Sequence, residues 1–316
     1  MKLLLAILFL SLAVFILGLY LLRPVSPTPA KISFVITKDE SATSVIRKLK
    51  AQKLIRSSLV AKIYLRLSAW EKFIQPGGYV LSPSLSTPEL LRQLKVGPKD
   101  IWVTLPEGWR REQIAARMAE SLSGPNSNFD SEKFMTLTAS LEGQLFPDTY
   151  LISQTISAPE AISILTSNFT RKSGLDLAQK YSLLIVASLV EREANQDQDR
   201  PLIAGILLKR LEAGWPLQVD ASVQYASDTI RCRNQLLTCD WWQPVADTRI
   251  PSVYNTYLSP GLPPSPIANP GLAAITAVLT PQTSPYWYYL TDPDGVTHYA
   301  ESLSEHNSNI DKYLRL

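Results

Sequence analysis

Twenty consecutive residues, Leu3 to Leu22, carry no charge. As a helix this run rises about 30 Å, the thickness of a bilayer's hydrocarbon core. A secretory leader has a shorter apolar stretch, about 7–15 residues, followed by a small-x-small cleavage site. Here the run ends in Tyr20-Leu21-Leu22-Arg23-Pro24, and no Ala-x-Ala follows. The expectation is an uncleaved anchor over residues 1–22. Lys2 on one side and Arg23 and Lys31 on the other barely discriminate its orientation.

The rest of the 316 residues suffices for about two domains. With 46% hydrophobic residues the chain can bury a core. A formal net charge of +3 lacks the dense basic face that phosphate neutralisation needs, so a nucleic-acid partner is not expected. Two cysteines and two histidines rule out a four-cysteine or three-histidine metal centre. No metal and no cofactor are expected.

After a Pro-rich spacer at 23–30, Lys31 to Ile36 alternates like a strand. Val45, Ile46 and Leu49 fall at helical spacing. Gly77 to Leu81 reads as a turn into a strand. Ser86-Thr87-Pro88 opens a helix that Gly97 stops. An echo lies 69 residues on: Ile36, Val45 and Leu49 match Leu105, Ile114 and Met118, each set reading strand, acidic turn, helix. A loop is expected around Gly124 to Ser127. Helices are then expected at 132–141, 158–169, 175–194 and 201–213, with a loop-rich last third from Trp215. The fold class is α+β, a small β–α domain before a larger mixed one.

Tyr181 to Ala194 reads YSLLIVASLVEREA. On a helix, Glu191 flanks an apolar stripe of Leu183, Ala187, Val190 and Ala194, while Ser188 and Arg192 fall on a more polar side. A partly dry carboxyl there would hold its proton as a general acid must. The plain alternative is a solvated charge pattern at a helix end. Asp220 reads as a helix N-cap or as a second carboxylate. Asp148 and Asp292-Pro293-Asp294-Gly295 read as turns. His298, His306 and the aromatic residues Trp241, Trp242, Trp287, Tyr286, Tyr288 and Tyr289 suit either sugar contacts or packing. Cys232 and Cys239 are free thiols in a reducing compartment or a disulfide outside it.

Several stretches taken together resemble the endolytic murein transglycosylase, or YceG-like, family. They are LEGQLFPDTY from Leu141, ASLVEREA from Ala187, RPLIA from Arg200 and PLQVD from Pro216. The set continues with Tyr254-Asn255-Thr256-Tyr257, running on through GLPPSPIANPG from Gly261, and closes with Glu305-His306-Asn307. The resemblance implies a LysM-like subdomain at 31–97 and a catalytic domain at 98–316. It also implies a single-pass inner-membrane protein, N-terminus cytoplasmic, whose catalytic part faces the periplasm or cell exterior. The implied activity is cleavage of MurNAc–GlcNAc β-1,4 bonds in peptidoglycan strands to leave 1,6-anhydroMurNAc ends. Peptidoglycan synthases are the implied partners. The catalytic glutamate aligns with Glu191, Glu193 ranking behind it, and Gln218, Asp220, Asn255 and Asn269 are expected along the cleft. The segment holding the two cysteines and Trp241-Trp242 departs from the family pattern.

One glutamate suffices for such chemistry, because the sugar's own C6 hydroxyl replaces the second carboxylate of a hydrolase. Two other readings stand beside it: an anchored peptidoglycan-binding scaffold, and a hydrolase pairing Glu191 with Asp220.

Overall fold

The computed structural model describes residues 5–98, 100–123, 127–245 and 247–314, with backbone alone at 2–4. The side chains of Leu3 and Leu4 of the uncharged run, and Gly124, Pro125 and Asn126 of the expected loop, lie outside the described residues. The chain divides into two compact units: residues 1–103 with 150–154, and residues 104–149 with 155–316.

The first unit begins with helix α1 (Lys2–Leu21). Its apolar side chains from Leu5 to Tyr20 are exposed. Among the described residues, no helix is long and apolar enough to cross a membrane. Strand β1 (Ile32–Ile36) is followed by α2 (Ala42–Ala51), α3 (Ser58–Leu67), β2 (Gly77–Leu81) and α4 (Thr87–Val96). Ser41, Ser57 and Ser86 start the three helices by accepting from backbone N–H groups one turn in. At Ser86 the reciprocal Glu89 bond completes a capping box. β1 and β2 pair antiparallel with Phe34 opposite Tyr79. Their inward residues pack on Val45, Ile46 and Leu49 of α2 and on Leu90, Leu91 and Leu94 of α4. Strands β3 (Asp100–Leu105) and β4 (Asp148–Ser153) extend the sheet in the order β1-β2-β3-β4.

The echo is structural. β3 leads to α5 (Arg111–Ser121) as β1 leads to α2. All six matched apolar residues are buried.

The second unit is built around α8 (Leu177–Glu193). Before it come α6 (Ser131–Leu137) and α7 (Ala158–Ser173); after it come α9 (Arg200–Glu212), α10 (Asp220–Arg231) and α11 (Leu272–Leu279). α8 is not amphipathic. Leu184 to Val190 are buried without interruption, because α9, α10 and α11 cover it on several sides. Ser188 therefore sits in the core and not on a polar side. Its hydroxyl donates to the Ile185 carbonyl at 2.7 Å and accepts from Ile267 N–H at 3.1 Å.

The last third holds more regular structure than expected. Besides α10 and α11 it forms the hairpin β5 (Tyr288–Thr291) and β6 (Thr297–Ala300), then α12 (Leu303–Tyr313). Asp292 to Gly295 is the hairpin turn, as the sequence suggests. The loop expectation holds for the described residues of 232–271, among which no helix or strand is assigned.

Candidate active site

Residues two apart on a helix point about 200° apart, and that offset decides the fate of the two glutamates ending α8. Glu191 turns toward α9. Arg200 Nη2 donates to its Oε1 at 3.1 Å, and Gly271 N–H donates to its Oε2 at 2.9 Å. The Glu191 side chain is 5% exposed. Burial raises its pKa, while the Gly271 N–H and Arg200 oppose the rise. Asp197 closes the other side of the Arg200 guanidinium. A Cβ at Gly271 would meet the Glu107 carboxylate, which would have to swing away. Both Glu191 oxygens thus accept from donors of the chain.

Glu193 turns the other way and lines a cleft of about 620 Å³. The cleft is bounded by the end of α8, the start of α10, the β5 strand and α12. Ala221 N–H donates to Glu193 Oε1 at 3.3 Å, and Tyr289 Oη donates to Oε2 at 3.2 Å. Burial, then the negative charge of Asp220, push its pKa up to about 7; the two donors act in the opposite direction. A carboxyl half protonated near neutrality serves as acid and then as base.

Asp220 is the first residue of α10 and faces the same cleft. It caps nothing through its side chain; instead its Oδ1 accepts from Tyr257 Oη at 2.6 Å. Gln218 also lines the cleft, on a left-handed backbone of φ 52° that costs a non-glycine residue energy. Thr256 holds this turn. Its carbonyl accepts from Gln218 N–H at 3.2 Å, and its hydroxyl accepts from Val219 N–H at 2.9 Å.

Asn255 and Asn269 were expected along the cleft and are not there. Both are fully buried. Asn255 Nδ2 donates to the carbonyls of Thr248 and Ile250, each at 2.8 Å. Asn269 Oδ1 accepts from Leu145 N–H at 2.9 Å, and its Nδ2 donates to Glu142 Oε1 at 2.6 Å. These amides satisfy the buried backbone of long loops, a demand that sequence alone does not show. Glu142 is itself buried, and burial holds its pKa well above the usual carboxylate range.

His306 and Asn307 line the cleft, with His306 stacked on Tyr288. His298 instead bonds Asp292 at 2.8 Å and stacks on Tyr313. Asp148 pairs with Lys172 at 2.7 Å. Cys232 and Cys239 are joined as a disulfide. Just beyond it, Trp241 and Trp242 take up arginines: Trp241 lies 4.1 Å from the Arg110 guanidinium and Trp242 4.0 Å from that of Arg192. Tyr257 and Tyr289 are the cleft residues that the sequence analysis did not assign to the acid. Tyr257 lies within a quoted motif, and Tyr289 within a cluster read only as aromatic. Among the described residues there is no cluster of three or more His, Cys, Asp or Glu that could hold a metal ion.

Together these features define a carboxylic-acid site in a cleft rimmed by tyrosines, on an α+β scaffold. The YceG-like family model matches residues 34–312, and the chain belongs to that family. It is 29% identical to the endolytic murein transglycosylase of Bacillus subtilis strain 168, over 95% of this chain and 90% of that relative. It is also 29% identical to the endolytic murein transglycosylase of Streptococcus pneumoniae R6, over 83% of this chain; there it spans about half of the relative, 54%. The crystal structure of a YceG-like protein from Listeria monocytogenes is similar with a TM-score of 0.52 and 26% identity, covering 89% of this chain and 99% of that one.

Proposed function

We propose that this chain is an endolytic murein transglycosylase whose acid and base is Glu193. The observation that carries the assignment is the placement of Glu193, not Glu191, on the cleft with a pKa near 7. Names of relatives matched over most of the chain support the reaction class.

Protonated Glu193 gives its proton to the glycosidic oxygen between MurNAc and GlcNAc as the C1–O bond breaks. The resulting carboxylate takes the proton of the MurNAc C6 hydroxyl while O6 bonds to C1. A 1,6-anhydro ring closes, the GlcNAc hydroxyl leaves, and Glu193 is again protonated. Proximity of O6 stands in for a second catalyst. Tyr289 and Ala221 N–H hold the carboxyl at a fixed angle, and Asp220 places negative charge where the anomeric carbon becomes positive. Gln218 supplies an amide to sugar hydroxyls.

We place α1 in the bilayer as a single-pass inner-membrane anchor, because its apolar side chains lie open along the helix. With it go a cytoplasmic N-terminus and a periplasmic catalytic part; the disulfide, which suits an oxidising compartment, favours that orientation. Residues 31–97, with their β1-α2-α3-β2 order, serve as a LysM-like glycan-holding subdomain, and 98–316 as the catalytic domain. A peptidoglycan synthase on the same membrane would supply nascent strands.

A hydrolase reading has one observation in its favour: Glu193 and Asp220 share a cleft. Products separate the two. Digestion of purified peptidoglycan in ¹⁸O-water, read by mass spectrometry, is expected to give 1,6-anhydro ends without solvent oxygen. Reducing ends carrying ¹⁸O would make the chain a hydrolase.

A further inference from the structure

The arginines of the second unit are mostly committed to the fold. Arg200 bonds Glu191, Arg210 donates to the Leu217 and Trp287 carbonyls, and Arg110 bonds Glu112 and Thr229. Arg192 differs. It lines the cleft between Glu191 and Glu193 in sequence, and its Nε is buried without a hydrogen-bond partner among the described residues; Arg200 Nε is unpartnered as well, but the other Arg200 nitrogens pair with Glu191 and Asp197. One face of its guanidinium rests on the Trp242 ring at 4.0 Å. Gly108, at φ 73°, makes room for it: a Cβ there would stand 3.3 Å from Arg192 Cδ and Nη1. Trp242 is itself fixed, its N–H bonded at 2.5 Å to buried Asp228 and its Nε1 at 3.0 Å to Gln113.

Stacking fixes the plane of a guanidinium and leaves its edge donors for a partner in that plane, the geometry that suits a carboxylate. Burial disfavours the Arg192 charge, and only the through-space fields of Glu191 and Glu193 offset that. The hydroxyls and N-acetyl groups of a glycan strand are neutral. Its negative charge hangs from the 3-O-lactyl ether of MurNAc, as the free lactyl carboxylate of a stripped strand or as carboxylates of an attached stem peptide.

We infer that Arg192, laid flat on Trp242 at the cleft, is a subsite for a carboxylate carried by the muramyl residue, which makes it a specificity-determining residue beside the acid. This rests on the transglycosylase reading.

The test uses the full chain in detergent micelles and three strands: peptide-bearing, stripped to the free lactyl carboxylate, and stripped with that carboxylate converted to a methylamide. Binding is measured on the Glu193→Gln chain, with and without Arg192→Gln, so that turnover is not needed. The neutral strand is expected to bind about tenfold more weakly than the charged strand the site accepts, as suits one charge-assisted hydrogen-bond pair. Arg192→Gln is expected to erase that difference, and Arg192→Lys to keep part of it. Loss with the peptide-bearing strand alone assigns the partner to the stem peptide; loss with the stripped strand alone assigns it to the lactyl group. Equal affinity for all three strands, or equal weakening of all three, would overturn the subsite. In turnover by chains retaining Glu193, Arg192→Gln is expected to raise KM for the charged strand and, because the Arg192 charge lowers the Glu193 pKa, to move the alkaline limb to higher pH as well. A moved limb with unchanged KM would mean that Arg192 only tunes Glu193. If the parent chain makes no anhydro ends from any strand, the transglycosylase reading fails, and the binding result still decides the subsite. Should Arg192→Gln fail to fold, Arg192→Lys and Trp242→Phe carry the same comparison.

Discussion

Glu191 and Glu193 leave the last turn of α8 on opposite sides, and their carboxyls end in different chemistry. Glu191 is closed between Arg200 and Gly271 N–H. Glu193 lines the cleft but its carboxyl is itself buried, and both its oxygens accept from the chain, from Ala221 N–H and Tyr289 Oη.

The pH dependence follows from the second arrangement. Glu193 must be protonated to act first as an acid, and its pKa is about 7. Below that value the active form dominates; above it the carboxylate accumulates. kcat/KM is expected to fall tenfold per pH unit on the alkaline side of about pH 7. A flat profile to pH 9 would contradict a Glu193 acid. Initial rates of anhydro-end release across pH 5–9 check this.

Asp220→Asn removes a negative charge that raises the Glu193 pKa. The alkaline limb is expected to move to lower pH, because the Glu193 carboxylate then ionises more readily. Tyr289→Phe removes a donor that lowers the same pKa, so its limb is expected to move up. Opposite shifts in these two profiles identify Glu193 as the group being titrated; shifts of one sign would not.

The Arg200–Glu191 pair is a stability device. Arg200→Met leaves a nearly buried carboxylate with one N–H donor and with Glu107 nearby. The expected loss is about 3–5 kcal/mol, typical of breaking one side of a buried pair. Adding Glu191→Gln to that variant is expected to restore most of it, since no charge is then stranded. Urea unfolding of the single and double variants measures both.

The Cys232–Cys239 link closes a small loop, with a sequence separation of 7. Chain entropy alone gives such a loop about 2–3 kcal/mol. The Cys232→Ser/Cys239→Ser chain is expected to lose about that much stability in the same unfolding assay. It is also expected to loosen Trp242, seen as a red-shifted, more quenchable tryptophan emission.

Much of the fold was legible from local patterns. Ser86-Thr87-Pro88 with Glu89 signals a helix start, and Ile36, Val45 and Leu49 repeat as Leu105, Ile114 and Met118 in a second strand–helix pair. α12 was harder to see, because it has no buried residue to set a period. At the site, Gln218 and Asp220 were legible as cleft residues. Asn255 and Asn269 were not legible as structural, since their partners are loop carbonyls and a buried glutamate set by long-range packing. The proposed preference for Glu193 over Glu191 could not be drawn from the sequence for the same reason. Leu184 to Val190 of α8 are buried on all sides, so the local pattern does not single out either glutamate, and the contacts that differ come from Arg200, Gly271 and Tyr289.

The most direct test compares Glu193→Gln and Glu191→Gln in peptidoglycan digests analysed by mass spectrometry, each first shown to be folded. Glu193→Gln is expected to abolish 1,6-anhydro ends while still binding strands. Glu191→Gln is expected to lower the melting temperature but to keep anhydro-end formation within about tenfold of the parent at a permissive temperature. Anhydro ends persisting in Glu193→Gln and lost in folded Glu191→Gln would contradict the assignment and return the acid to Glu191.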